Sequence, residues 1–143
     1  MCLFSVRLST HSCDMNASTR SITLSAGLLG FLGVALGAFG AHALKATLLA
    51  NGYLDTWETA VRYQLIHAVA LLALAGWRDS LIVPSTKVAT AWVAGTVLFS
   101  GSLYALALGG PGKLLGPITP LGGVALLVGW GILIFTAWKR PAA

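Results

Sequence analysis

The chain has 143 residues, of which 57% are hydrophobic and only 9% charged, with nine Lys or Arg against four Asp or Glu and a net charge of +5. An ordinary soluble domain carries about a quarter of its residues as charges. So few charges cannot coat a core of this size, which all but excludes a free globular domain and makes a bilayer the expected solvent. The same numbers exclude intrinsic disorder, which needs low hydrophobicity and high charge.

Residues 1–21 form a mixed, Ser/Thr-rich leader with Arg7, Arg20 and a single acid, Asp14. It reads as a disordered extension or an over-called start, with Met15 as the alternative initiator, or as a faintly transit-like segment. Cys2 and Cys13 lie in this leader without metal or disulfide spacing.

Ile22 to Leu44 is 23 residues without a charge, long enough at about 1.5 Å per residue to cross a bilayer. Ala41-His42-Ala43 would also fit a signal-peptidase site, but the run is longer and richer in glycine than a signal sequence needs. Lys45 to Thr56 reads as a connection with a turn at Asn51-Gly52. Further apolar spans are expected over about 57–77, 88–108 and 117–138, so the chain reads as an all-α integral membrane bundle of four transmembrane helices forming one domain over 22–143. Pro117 and Pro120 are candidates to break the fourth helix.

Charge places the ends. With four spans both termini share a side, which receives Arg7, Arg20, Arg78, Lys87, Lys139 and Arg140, whereas the other receives Lys45, Lys113 and Arg62. The positive-inside rule puts both termini in the cytoplasm of a bacterial inner membrane, or the equivalent side of an organellar one. Trp57, Trp77 and Trp138 fall at span ends and are expected as interfacial anchors. The basic residues are scattered, so nucleic acid is not an expected partner, while membrane lipids are.

Helices in lipid associate through small residues and interhelical hydrogen bonds. Gly30, Gly33, Gly37 and Gly40 in the first span, and Gly122 and Gly129 in the fourth, are the expected packing positions. They fit a tight bundle and also a homo-oligomer. Buried polar groups are costly in lipid and therefore informative. His42, Glu58, Arg62, Tyr63, Gln64, His67, Ser100, Ser102, Tyr104 and Thr119 map to the half of the bundle away from the termini and form a candidate polar binding zone. Glu58 and Arg62 have the spacing of a helical ion pair; the alternatives for the zone are interfacial and core hydrogen bonding or a pocket for an anionic headgroup or metabolite. His42 and His67 are about 12 Å apart in expected depth, too far to share a metal. No catalytic motif is present, and neither metal nor other cofactor is expected.

Gly37-Ala38-Phe39-Gly40-Ala41-His42-Ala43-Leu44, the stretch from Trp57-Glu58 through Arg62-Tyr63-Gln64 to His67-Ala68, Phe99-Ser100-Gly101-Ser102-Leu103-Tyr104 and Thr119-Pro120-Leu121-Gly122-Gly123 occur in order. Together they resemble the small multi-span bacterial membrane-protein family of unknown function that also includes eukaryotic transmembrane protein 256. The resemblance implies an integral inner-membrane protein and carries no activity or ligand. The expected roles are, first, a structural or accessory component packing on itself or on a partner membrane complex; second, a small-molecule or lipid carrier using the polar zone; third, a membrane enzyme or redox subunit.

Overall fold

A computed structural model describes residues 17–77 and 85–139. They form α1 (Ala17–Ala41), α2 (Lys45–Ala50), α3 (Leu54–Trp77), α4 (Ser85–Ala107) and α5 (Gly112–Trp138), with no strand among the described residues. α1, α3, α4 and α5 are each long and apolar enough to cross a membrane. Residues 17–21, read as the end of the leader, belong to α1, and the rest of that leader, 1–16, lies outside the described residues. Ser21 Oγ donates to the Ser18 carbonyl in this first turn, 2.9 Å, and Arg20 beside it is exposed.

The helices pack largely in chain order. α1 lies on α3, α3 on α4 and α4 on α5, with only slight contact between α1 and α4. Physical chemistry in lipid explains which helices are central. The most apolar 18-residue stretch has a mean hydropathy of 2.0 in α1 and α5 and of 1.3 in α3 and α4. The less apolar pair hides its polar groups in the middle, where 39% of the most apolar stretch of each helix is buried against 17% for the outer pair. Leu24, Phe31, Leu121, Leu127 and Ile134 point outward and face lipid.

The connection after α1 contains more structure than its sequence suggested. α2 is a short helix whose Leu48 is fully buried with Trp57 and Ala107, plugging the end of the bundle away from the termini. Trp57 is accordingly not an interfacial anchor: it is 2% exposed, whereas Trp77 and Trp138 are 75% and 83% exposed. Both turns at this end close on glycine in the left-handed region. Gly52 (φ 72°) follows α2 with Tyr53 N–H on the Leu48 carbonyl at 2.9 Å, and Gly109 (φ 90°) follows α4 with Gly110 N–H on the Ala105 carbonyl at 2.8 Å. These are Schellman-type ends, satisfying carbonyls that would otherwise be orphaned.

Pro117 and Pro120 do not end α5, which runs through both to Trp138. They sit in its first three turns, so only a few carbonyls near the start lose a helical donor, and Thr119 Oγ1 lies 3.3 Å from the Leu115 carbonyl there.

Candidate functional site

Most of the polar zone is drawn inward, and each inward side chain ties two helices together. Gln64 on α3 is the junction: its Nε2 donates to the Leu29 carbonyl of α1 at 2.8 Å, and its Oε1 accepts from the Tyr104 hydroxyl of α4 at 3.0 Å. One turn away, Ser100 Oγ of α4 donates to the Ala60 carbonyl of α3 at 2.9 Å. Ser102 of α4 meets Thr119 of α5, oxygen to oxygen, at 2.7 Å, and its Oγ also lies 2.9 Å from the Phe99 carbonyl. Trp57 Nε1 of α3 donates to the Leu36 carbonyl of α1 at 3.0 Å.

His67 closes the set. Its Nδ1 is 2.8 Å from the Tyr63 carbonyl and its Nε2 is 3.2 Å from Trp130 Nε1 of α5. A carbonyl only accepts and an indole N–H only donates, so the ring is the Nδ1–H tautomer with both nitrogens occupied. Around it Trp92 and Trp130 stand 6.0 and 6.2 Å away by ring centroids, and 4.8 Å from each other. Neither tryptophan was a candidate site residue. The signal available for them was their spacing in α4 and α5, opposite a histidine deep in an apolar run.

Glu58, Arg62 and Tyr63 are exposed on α3, and His42 is exposed in the turn after α1. Among the described residues no ion pair forms, so Glu58 and Arg62, though one turn apart, do not pair. They border a groove between α1 and α3, about 390 Å³, floored by Gly37, Gly40 and Trp57. His42 borders a separate apolar dent with Ala38, Phe39 and Ala43. Tyr63 and His67 line a cleft between α3 and α5 of about 400 Å³, with Phe99, Pro120 and Trp130. The ten candidates thus divide: Gln64, His67, Ser100, Ser102, Tyr104 and Thr119 form the interhelical lattice, and Glu58, Arg62, Tyr63 and His42 face outward in three separate places. No group of His, Cys, Asp or Glu among the described residues is placed to hold a metal.

Glycine sets how closely the lattice is drawn together. A Cβ at Gly33 would press on Leu65, at Gly37 on Val61 and at Gly40 on the Trp57 indole. At Gly122 it would enter the backbone of Phe99, and at Gly129 the Trp92 indole; Gly30 meets only Ala68, at 3.8 Å. Among the described residues two buried side-chain polar atoms have no hydrogen-bond partner, Trp92 Nε1 and Thr96 Oγ1.

Comparison with known proteins was consistent with this architecture. A family described as "Protein of unknown function (DUF423)" matches residues 36–123. The chain is 43% identical over 110 residues to the UPF0382 membrane protein YwdK of Bacillus subtilis, covering 76% of this chain and 88% of that one. It is 42% identical over 117 residues to the UPF0382 membrane protein SSP2132 of Staphylococcus saprophyticus, covering 78% and 92%. With the UPF0382 inner membrane protein YgdD of Escherichia coli it shares 41% over 123 residues, covering 84% and 91%. No solved structure matches the chain.

Proposed function

The chain belongs to the DUF423 family of membrane proteins, and from that premise we propose that it is a structural or accessory component of a bacterial inner membrane, with both termini cytoplasmic. One observation carries this reading. Six of the ten polar residues expected to form a binding zone spend their hydrogen bonds holding helices together, while the two most apolar helices leave their outer faces uncovered. A bundle built this way offers rigid apolar faces, which suits packing against another membrane protein or a second copy. The orientation is supported by the sequence count of basic residues, Arg7, Arg20, Arg78, Lys87, Lys139 and Arg140 on the terminal side against Lys45, Arg62 and Lys113 on the other. The name of the Escherichia coli relative, an inner membrane protein, supports the location.

Crosslinking in native membranes followed by mild solubilisation tests the role: a stoichiometric second protein or second copy is expected, and a lone monomer overturns it. Reporter fusions at each terminus test the orientation, and periplasmic activity at either end overturns that part.

A second reading, a binding protein for a small apolar molecule, is favoured by the α3–α5 cleft. Its volume lies in the range of ligand pockets and its walls are aromatic. Loss of a bound small molecule on His67→Ala, with the bundle still folded in the membrane, would favour it over the accessory role.

A further inference from the structure

At the terminal end of the bundle a third groove separates α1 from α4. It exists because both helices pack on α3 and scarcely on each other. The groove holds about 290 Å³ and is lined by Ser21, Ile22, Ser25, Thr86, Ala89, Thr90, Val93 and Ala94. Four hydroxyls thus converge on one side-opening groove, in the half of the bundle where polar residues are otherwise sparse.

Ser21 bonds back to the Ser18 carbonyl, but the other three hydroxyls do not behave like others in the protein. Thr136 bonds back to the carbonyl one turn earlier, as does Thr119, and Ser100 reaches a neighbouring helix. Such back-bonding is the ordinary refuge of a hydroxyl in an apolar helix. Ser25, Thr86 and Thr90 make no hydrogen bond among the described residues, so their protons are available to something lying in the groove. The arrangement has two tiers. Ser21 and Thr86 are nearer the helix ends, and Ser25 and Thr90 lie one turn, roughly 6 Å, deeper on each helix. Ile22 and Ala89 lie between the tiers, and Val93 and Ala94 make an apolar wall below the deeper one.

Charge matches the shallow tier. Arg20 precedes Ser21 and Lys87 follows Thr86, both exposed. Neither α1 nor α4 has an acid in its first turn, and the acids among the described residues, Asp55 and Glu58, are at the opposite end of the bundle.

We propose that the α1–α4 groove is a binding site for an anionic glycerophospholipid of the leaflet reached by the start of α1. The phosphate is held at the level of Thr86 with Arg20 and Lys87 supplying charge. The ester carbonyls accept from Ser25 and Thr90, and an acyl chain lies against Val93 and Ala94, deeper in the groove. The lipid completes a helix contact that protein alone leaves open. The inference is independent of the accessory role, which concerns the outer apolar faces.

The test is native mass spectrometry of the purified full chain titrated with phosphatidylglycerol or phosphatidylcholine in detergent. Wild type should prefer phosphatidylglycerol by about tenfold or more, since a cation near a membrane surface is worth roughly fivefold in affinity for anionic lipid. Arg20→Gln with Lys87→Gln should abolish that preference while retaining phosphatidylcholine. Ser25→Ala with Thr86→Val and Thr90→Val should weaken both lipids severalfold. Lys45→Gln with Lys113→Gln, at the other end, should change neither. Circular dichroism and gel filtration confirm that each variant is folded. The proposal is overturned if the Lys45 and Lys113 substitutions remove the preference as fully as the Arg20 and Lys87 ones, or if the hydroxyl variant binds as wild type. Displacement of the lipid by inorganic phosphate would also overturn it, by identifying the site as one for free phosphate.

Discussion

The two ends of the helix row use the same device with different outcomes. Between α1 and α3, Gly40 makes room for the Trp57 indole; between α4 and α5, Gly129 makes room for the Trp92 indole. Both pairs are antiparallel, and in each the contacts climb one helix as they descend the other: Gly40 on Trp57, Gly37 on Val61 and Gly33 on Leu65, then Gly129 on Trp92, Gly95 on Leu126 and Gly122 on Phe99. Yet Trp57 Nε1 reaches the Leu36 carbonyl, while Trp92 Nε1 is buried with no partner. The α1–α3 contact also has Gln64 on the Leu29 carbonyl. The α4–α5 contact has the single Ser102–Thr119 bond and a much closer backbone approach at Gly122. One interface is held by side chains bonding to backbone carbonyls and the other mainly by shape.

That contrast predicts where substitution hurts most. Gly122→Ala is expected to be the most damaging, because the new methyl meets Phe99 backbone rather than a side chain that can turn aside. Overpacking against a yielding neighbour costs about 1–3 kcal/mol, so this variant should lose about 3 kcal/mol or fail to assemble. Gly27→Ala is the control: nothing stands within 4 Å of a Cβ there, and removing glycine from a helix interior is worth a gain of up to about 1 kcal/mol. Unfolding in mixed micelles by increasing SDS measures both. Equal stabilities for the two variants would break the idea that α4 and α5 are held by close approach.

Gly40→Ala should be milder, at about 2 kcal/mol, since the Trp57 ring can shift but then loses the Leu36 carbonyl. Gln64→Leu removes two interhelical bonds at once. Such bonds average about 0.6 kcal/mol each in a bilayer protein, so a loss of about 1 kcal/mol is expected. Pairing it with Tyr104→Phe in a double-mutant cycle should return a coupling of about 0.6 kcal/mol, and a coupling of zero would remove Tyr104 from the lattice.

How much of this was legible beforehand depends on which physical rule governed each feature. The four spans follow from apolar length, and that signal is strong because lipid tolerates no other backbone arrangement. The spacing of Gly33, Gly37 and Gly40 placed them on one face of α1. It did not say that α3, rather than α5, would lie there, because periodicity encodes faces and not neighbours. Depth along the bilayer grouped Gln64, Ser100, Ser102 and Tyr104, since polar residues share a level when they bond across helices. It also grouped Arg62 and His42 with them, which point elsewhere, as depth carries no azimuth. Trp57 was misread as an anchor because its position at a span end does not reveal that α2 folds back to cover it. The continuity of α5 through Pro117 and Pro120 was hidden for a related reason: its first turn starts at Gly112, five residues before the first proline.

The smallest expected effect bears most directly on the opening contrast. Thr96 is 2% exposed and its hydroxyl has no partner, one turn from Trp92, whose indole nitrogen is equally unpaired. If the α4–α5 half is held by shape, the hydroxyl contributes nothing and its desolvation is a standing cost. Thr96→Val keeps the side-chain volume and removes the polar atom, so it should leave the fold unchanged and raise stability by up to about 1 kcal/mol. Replacing Ser100 by Ala, whose hydroxyl bonds to the Ala60 carbonyl, should instead lower stability by about 0.6 kcal/mol. A loss of stability on Thr96→Val would mean that the hydroxyl is hydrogen-bonded in the bilayer, and that this half of the bundle is held by polar contacts after all.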